Sequence, residues 1–482
     1  MIKYGISNVI KKKAWILPSV IAGALLIIIN SNYLTLPQKL SLIIFITTVF
    51  ATLVFWRFHL PIAFLGVGAL LLTRTLDIQH LITFASLDLI VFLIGMMVLV
   101  GLLREAEFFT WLLEKILLIR NLNAIKLFLL IIGFSFLLTS LVGQVASVIF
   151  MSSLVLEICN FFAINPLPFI MVTLMTTNIA SAGTILGSPA GILLETYAGL
   201  HFKDFLFWSF PITLSCLLVG TGFLWMWYRG DMKKIETKIK EVEIEDRTFR
   251  QLINVPATRE IKEELFLLGT ILFSLTLHFQ IEKLFSLPPN TLLVAIPLVG
   301  AGIALSWKKE EARVYIEEHV DWWTIVFFIL FFAKAGTFKY TGVTNLISSF
   351  LENQAKIQPL LLITEITWIS SLSSSIMDNV VVVSILVPAI KALEAKGVAH
   401  ILTYPLWWGL FLGGCFGSNI TMIGSPANIV ALGLLEKQAG IKIGFFQWVK
   451  VGLILALITT TLASIYLIVV TRFLFSLKHL YM

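Results

Sequence analysis

A tetrapeptide occurs twice in this chain, and its surroundings limit the fold to one built from two copies of a unit. Gly187-Ser188-Pro189-Ala190 runs on into Gly191-Ile192, and Gly424-Ser425-Pro426-Ala427 into Asn428-Ile429. Thr184 and Thr421 stand three residues before each glycine, Ser181 and Ser418 six before. Gly143-Gln144 opens 44 residues ahead of Gly187, and Asp378-Asn379 opens 46 ahead of Gly424. Asp88, in LDLIVFLIGMM, precedes Gly187 by 99 residues, and Asp321, in VDWWTIVFFIL, precedes Gly424 by 103. Four landmarks in one order at near-equal spacing mark an internal repeat.

The repeats lie in apolar sequence. Hydrophobic residues make up 58% of the 482 and charged residues 13%. Soluble domains carry about 25% charged residues, so there is too little polar surface here for a water-soluble globule. Lipid must be the solvent for much of it. The fold class is therefore an all-α polytopic membrane protein. Apolar runs place helices near 15–30, 40–56, 60–73 and 88–103, then a polar-faced segment to 126 and a long stretch over 127–159 interrupted by Ser140, Gly143, Gln144 and Ser147. A run over 166–200 with a Gly/Ser/Thr/Pro-rich middle and a helix at 211–228 close the first copy. The second repeats the order at 263–280, 288–306, 321–337, 357–395, 402–434 and 451–471. The divisions are a first transmembrane helix within 1–35, repeat one over 36–228, a charged linker over 229–262 and repeat two over 263–482.

The stretches 127–159 and 357–395 have polar centres at Gly143-Gln144 and Asp378-Asn379, which leaves arms of about 15 residues, or ~23 Å. That is short of a ~30 Å hydrocarbon core. Two re-entrant hairpins beside about eleven transmembrane helices are expected. The runs 88–103 and 321–337 then point in opposite directions, as in inverted-repeat transporters. Lysines and arginines cluster at 11–13, at 229–262 and at 308–313. The positive-inside rule places these on the cytoplasmic face, with the N-terminus cytoplasmic, in a multi-pass cell (plasma) membrane protein. Trp15 to Asn30 follows basic residues with no small-residue cleavage site and is expected to be a retained helix. Basic charge scattered over several loops does not make a nucleic-acid surface.

Gly-Ser-Pro breaks the helical ladder and frees backbone groups. In hydrocarbon each unpaired group costs several kcal/mol, so a broken helix persists only inside protein or around a wet cavity. Two breaks and two hairpin tips related by the repeat predict one polar chamber. Half-helix N-termini there suit anions, and unwound carbonyls suit Na⁺ or a proton carrier. Neutral donors and acceptors come from Ser181, Thr184, Ser188, Ser418, Asn419, Thr421, Ser425 and Asn428. Asp378 is the carboxylate at a tip. It fits a Na⁺ ligand, a titrating group that couples protons, or a helix cap. Lys334, in FFILFFAKAGTF, and Glu365, in LLLITEITW, are the other charges inside apolar runs. They fit either a structural ion pair or coupling groups of the transport machinery. No phosphate-cradling GxxxxGK[ST] and no dinucleotide fingerprint is present, so ATP-driven pumping is not expected. The seven histidines and three cysteines have no metal-ligand spacing, and no residue set suggests an enzyme.

SSLSSSIMDNVVVVSILVPAI at 370–390 resembles the Ser-x-x-x-Asp-Asn-Val hairpin of the ion transporter superfamily. That group includes arsenite permeases, D-type sodium/proton antiporters, the melanosomal P protein, citrate transporters and dicarboxylate/sodium symporters. GSNITMIGSPANIVALGLLEKQAG at 417–440 resembles its second broken helix, NIASAGTILGSPAGILLETYAGLHFKDFL at 178–206 the first, and LDLIVFLIGMMVLVGLL at 87–103 also fits. The resemblance spans roughly 40–475. It implies two inverted repeats, an elevator-like movement, and for many members a homodimer. It also implies one half-site from Asp378, Asn379, Gly424, Ser425, Pro426 and Asn428. The other would come from Gly143, Gln144, Asn178, Gly187, Ser188 and Pro189. Gly143-Gln144 stands where members often carry Asp-Asn, Gly191 where an Asn is common, and Cys415 where the second broken helix usually has Asn. One strong cation site, near Asp378, is the most these residues offer. The function expected is secondary active transport of a small anion or oxyanion, citrate/dicarboxylate-like or arsenite-like. It would be coupled to H⁺ or Na⁺ and need no other cofactor. Na⁺/H⁺ antiport is the alternative within transport; a non-transporting receptor or assembly subunit is the alternative of another class.

Overall fold

The computed structural model describes residues 33–55, 58–85, 87–105, 122–200, 202–252, 259–288, 291–320, 322–343, 359–395 and 400–480, with a few isolated positions between them. The described residues are nearly all helical, and no strand occurs among them. The expected helix at 15–30 and the landmark Asp321 lie outside the described residues, as do most of 106–120 and 344–358.

The helices used below are, in order, α1 Leu36–Val54, α2 His59–Leu72, α3 Ile78–Phe84, α4 Leu87–Glu105, α5 Ala124–Val142, α6 Gln144–Phe161, α7 Leu167–Ala180, α8 Pro189–Ala198, α9 Phe210–Trp227 and α10 Arg229–Leu252. They continue with α11 Arg259–Leu284, α12 Thr291–Lys308, α13 Ala312–His319, α14 Trp322–Tyr340, α15 Pro359–Ser374, α16 Asn379–Ala395, α17 His400–Gly417, α18 Pro426–Ala439 and α19 Phe445–Leu480. Among the described residues, six stretches are long and apolar enough to cross a bilayer: Ala124–Leu141, Gln144–Phe161, Phe205–Trp227, Thr291–Lys308, Trp322–Tyr340 and Phe445–Arg472. Shorter apolar helices run over Leu36–Thr52, His59–Leu72, Ile90–Leu102 and Leu167–Ala180. Outward leucines of α2, Leu65 at 74% and Leu72 at 88% exposure, would each cost about 1.5–3 kcal/mol in water, a cost absent in lipid.

The ends of these helices are written in the sequence. Thr35 and Gln38 form a capping box on α1. Asp77 caps α3 through the His80 amide, and Asn123 caps α5 through the Lys126 amide at 2.8 Å. Gly143 alone separates α5 from α6, at φ 92, a backbone that residues with a Cβ adopt only under strain. Here the arms differ from expectation. α5 has 19 residues and α6 has 18, about 28 and 27 Å, rather than about 15 residues each. The charge at Lys126 marks where the chain leaves hydrocarbon, while the helix begins earlier, at its asparagine cap. The charged linker is helical in α10, where Met232, Ile235 and Ile239 form a buried stripe. Between them Glu236 accepts the Ala124 amide at 2.7 Å, so the linker caps α5 as well.

The chain forms two compact units. The smaller joins the chain up to Leu87 with Val326–Phe350. In it the Ser41 and Thr341 hydroxyls share a 3.1 Å hydrogen bond, and the Phe45 and Phe338 rings lie 4.6 Å apart. The larger joins Asp88–Ile325 with Leu351–Met482. In it α17 packs on α15, α16 and α19, while α18 packs on α6 and α8 on α16.

Glu105 lies in the larger unit, just past the apolar part of α4. It receives the Lys308 ammonium and, at 3.0 Å, His319 Nε2. Desolvation raises its carboxyl, but those two partners outweigh it and hold the group below the ordinary 4.5. A depressed carboxylate stabilises the fold above its unfolded value, and that contribution is lost as pH falls from about 4.5 through the folded value. Melting temperature in detergent should therefore drop further between pH 7 and pH 4 for the wild type than for Glu105→Gln. Equal drops would show that the cluster contributes nothing.

Candidate functional site

Both interruptions are built alike. In each, a serine before proline caps the helix that follows. Ser188 Oγ accepts the Ala190 amide at 3.2 Å, and Ser425 Oγ accepts the Ala427 amide at 3.2 Å. Proline then occupies the first helical position, where its missing N–H costs nothing. Each break is tied to the tip of its own half by a threonine hydroxyl. Thr184 Oγ1 donates to the Ser140 carbonyl at 2.7 Å, and Thr421 Oγ1 donates to the Ser375 carbonyl. Gly187 and Gly424 sit so close to the turn that precedes them that a Cβ would stand 2.6 Å from the Ser181 carbonyl oxygen and 2.7 Å from that of Ser418. The repeat found in sequence is thus a repeat of contacts.

The two breaks are joined by amides. Asn178, in the last turn of α7, uses both N–H groups of its side chain, to Asn419 Oδ1 at 2.8 Å and Asn428 Oδ1 at 3.0 Å. Its own Oδ1 accepts from Gln144 Nε2 at the start of α6. Asn428 Nδ2 donates in turn to the Ser418 carbonyl at 2.9 Å and the Thr421 carbonyl at 3.3 Å. On the other side Asn379, first residue of α16, donates through Nδ2 to Ser188 Oγ at 3.3 Å and approaches Cys415 Sγ at 3.9 Å. Cys415 also contacts Ser181, whose hydroxyl donates to the Asn178 carbonyl at 2.8 Å. The Ser374 and Ser418 hydroxyls share a bond of 2.9 Å. Gly143 abuts the first break, since its Cβ would lie 3.2 Å from the Leu186 carbonyl.

Four helices therefore start within one hydrogen-bonded network: α6 and α18 at Asn178, α8 and α16 at the Ser188–Asn379 bond. Asn178, Ser181, Ser188, Asn379, Ser418, Asn419, Ser425 and Asn428 are all buried. Asp378, at the second tip, is 2% exposed, and its Oδ1 has no hydrogen-bond partner among the described residues; neither has Asn419 Nδ2. A buried polar atom left unmatched costs about 1–3 kcal/mol, so these two atoms point to a species the protein alone does not supply.

Of the residues expected in the two half-sites, Gln144, Asn178, Ser188, Asn379 and Asn428 share these hydrogen bonds, while Gly143, Gly187, Pro189, Asp378, Gly424, Ser425 and Pro426 lie at the tips and breaks beside them. Lys334 and Glu365 take no part in these hydrogen bonds. Lys334 belongs to the smaller unit, fully buried, with Nζ over the Phe45 and Phe331 rings at 5.7 and 5.4 Å and no hydrogen-bond partner among the described residues. Aromatic faces offset part of the cost of a buried ammonium. Glu365, half-buried on α15, belongs to the larger unit. Sequence reasoning did not single out Ser375 or Trp448. Ser140, one of the interruptions of 127–159, and Ser375 each stand three residues before a tip, but both act through backbone carbonyls. Trp448 Nε1 donates to the Asn419 carbonyl at 2.9 Å, and nothing in its sequence context signals that.

Comparison with known proteins places the chain among membrane transporters. The profile of a family described as "Citrate transporter" matches residues 42–413. A "46 kDa membrane protein" of Mycobacterium leprae is 27% identical over 79% of this chain and 85% of its own length. An "Uncharacterized transporter" of Synechocystis sp. is 24% identical over 89% of this chain and 97% of its own. The "P protein" of Homo sapiens is 23% identical over 82% of this chain and 54% of its own.

Proposed function

The chain belongs to the citrate transporter family, and from that premise we propose that it is a secondary active transporter of a small anion or oxyanion, coupled to H⁺ or Na⁺. It works through inverted halves whose helix pairs α5–α6 and α15–α16 enter and leave on one face as re-entrant hairpins. About eleven spans complete the fold, with the N-terminus cytoplasmic. The observation that carries the reading is the meeting of four helix N-termini at one buried network. Each N-terminus is equivalent to roughly +0.5 elementary charge, so four give about +2, against one carboxylate at Asp378. An anion is the species such a field favours. The unmatched Asp378 Oδ1 is where a proton or Na⁺ would sit, so the charge that couples and the charge that is carried occupy one site. The citrate/dicarboxylate-like and arsenite-like classes both suit a site built from amides and hydroxyls.

The test is flux into proteoliposomes for a panel of citrate, succinate and arsenite under imposed proton or sodium gradients. At least one of these should accumulate only while a cation gradient lasts. Asn178→Leu leaves Asn419 and Asn428 without their bridge at about 1–3 kcal/mol each, so it should cut that uptake by about tenfold or more. Proton movement driven by a Na⁺ gradient without added anion would favour Na⁺/H⁺ antiport. That second reading draws on the same lone carboxylate. Binding of an anion without flux would make the protein a receptor and end the proposal.

A further inference from the structure

α6 and α18 leave the site side by side. Their first turns meet at Asn178, and nine residues along each, about 14 Å away, Ser153 and Lys437 line one cleft. The cleft is open to solvent, with ≈ 30 Å³ of room for water, and Met97, His319, Leu434 and Gln438 are among its other walls. It lies toward the face that bears the linker helix α10, because α10 caps the start of α5 and α6 returns from the tip to that same end.

Lys437 is in the last turn of α18 and does not end its reach there. Its ammonium donates to the carbonyl of Glu318 and, at 3.4 Å, to that of Val320, at the end of α13. The last carbonyls of a helix have no partner within it, and a cation there is favoured by the helix dipole as well. α13 itself is anchored from behind. Tyr315 donates its hydroxyl to the Val98 carbonyl of α4 at 3.1 Å, and His319 is held by Glu105. Thus a fixed element is tied across the mouth of the cleft to the helix that carries Asn428 in its first turn.

We propose that Lys437 is a positioning residue of the transport cycle, a latch that holds α18 against α13 and closes the access route from this face to the site. The inference rests on the transport reading given above. The chemistry suits a bond that must open repeatedly. The ammonium is exposed on its solvent side, so water can replace either carbonyl as α18 moves away, and exposed charge contacts are cheap to break. Arginine could keep both carbonyls; an apolar side chain could keep neither.

The test reads access and needs no transported ion. Ser153→Cys places a thiol on the cleft wall at a position 6% exposed, while the native Cys159, Cys216 and Cys415 are buried and give a low background. Leu434→Cys, on the opposite wall, serves if the first variant fails to fold. Purified protein in lipid nanodiscs is treated with a charged methanethiosulfonate. Labelling should be at least about tenfold faster when Lys437→Met is added, and should return to the parent rate with Lys437→Arg. Equal rates in the parent and Lys437→Met backgrounds overturn the latch. Faster labelling in a protein that carries no ion keeps the latch and removes the transport reading. Unchanged labelling in a protein that does carry ions removes the latch alone.

Discussion

Replacing Asp378 with Asn abolishes gradient-driven uptake while the protein remains folded. Asparagine caps helices about as well as aspartate, so Asp378→Asn preserves whatever the residue does for the start of α16 and removes only its charge and its capacity to take up a proton. Truncating one partner of a buried charge pair costs about 2–5 kcal/mol, which at 1.4 kcal/mol per decade is a loss of about 30-fold to several thousandfold in coupled transport. The same variant in detergent should melt close to the wild type. Undiminished coupled uptake would reduce Asp378 to a cap and leave its unmatched Oδ1 without a role.

The second large effect is on folding. Gly424→Ala brings a Cβ to 2.7 Å from the Ser418 carbonyl oxygen and 2.8 Å from that of Ser374. Both atoms are backbone, so neither can rotate away. One belongs to the break itself and the other to the end of α15, and the new methyl group must push them apart. Overpacking of a close-packed interior costs about 1–3 kcal/mol, and the upper end applies where backbone must shift. Gly68→Ala in α2 is the control. Nothing lies within 4 Å of its Cβ, and it exchanges glycine for a better helix former, a gain of up to about 1 kcal/mol. The melting temperature in detergent should fall for Gly424→Ala and hold or rise for Gly68→Ala. A Gly424→Ala protein as stable as the wild type would mean that the break is looser than its contacts indicate.

The breaks and tips were legible because they are encoded in side chains and in proline. Ser188 with Ser425 and Thr184 with Thr421 mark equivalent turns by sequence alone, and each pair makes equivalent bonds. Asn178 was legible as a candidate but not as the bridge, since its partners Asn419 and Asn428 are some 240 positions away. The acceptors at Ser140, Ser375, Asn419 and Glu318 were not legible, because each acts through a carbonyl that any residue would provide. The arms of the first hairpin were read short for a different reason. Hydropathy reports where lipid ends, whereas Asn123 starts the helix outside it and serine and threonine continue it inside, as where Ser153 Oγ bonds the Ile149 carbonyl. Lys334 and Glu365 drew attention as paired opposites in apolar runs. Lys334 rests over two rings of its own unit, and Glu365 belongs to the other unit.

α19 runs unbroken for 36 residues, about 54 Å, well beyond the thickness of a hydrocarbon core. Near its beginning Trp448 grips the Asn419 carbonyl, the same loop that Asn178 bridges. A stiff rod held at one end acts as a lever. A tilt of about 5° imposed where Trp448 holds the loop sweeps the far end through about 5 Å over that length, so a shift too small to see at the loop would be read out, magnified, at the tail of the chain.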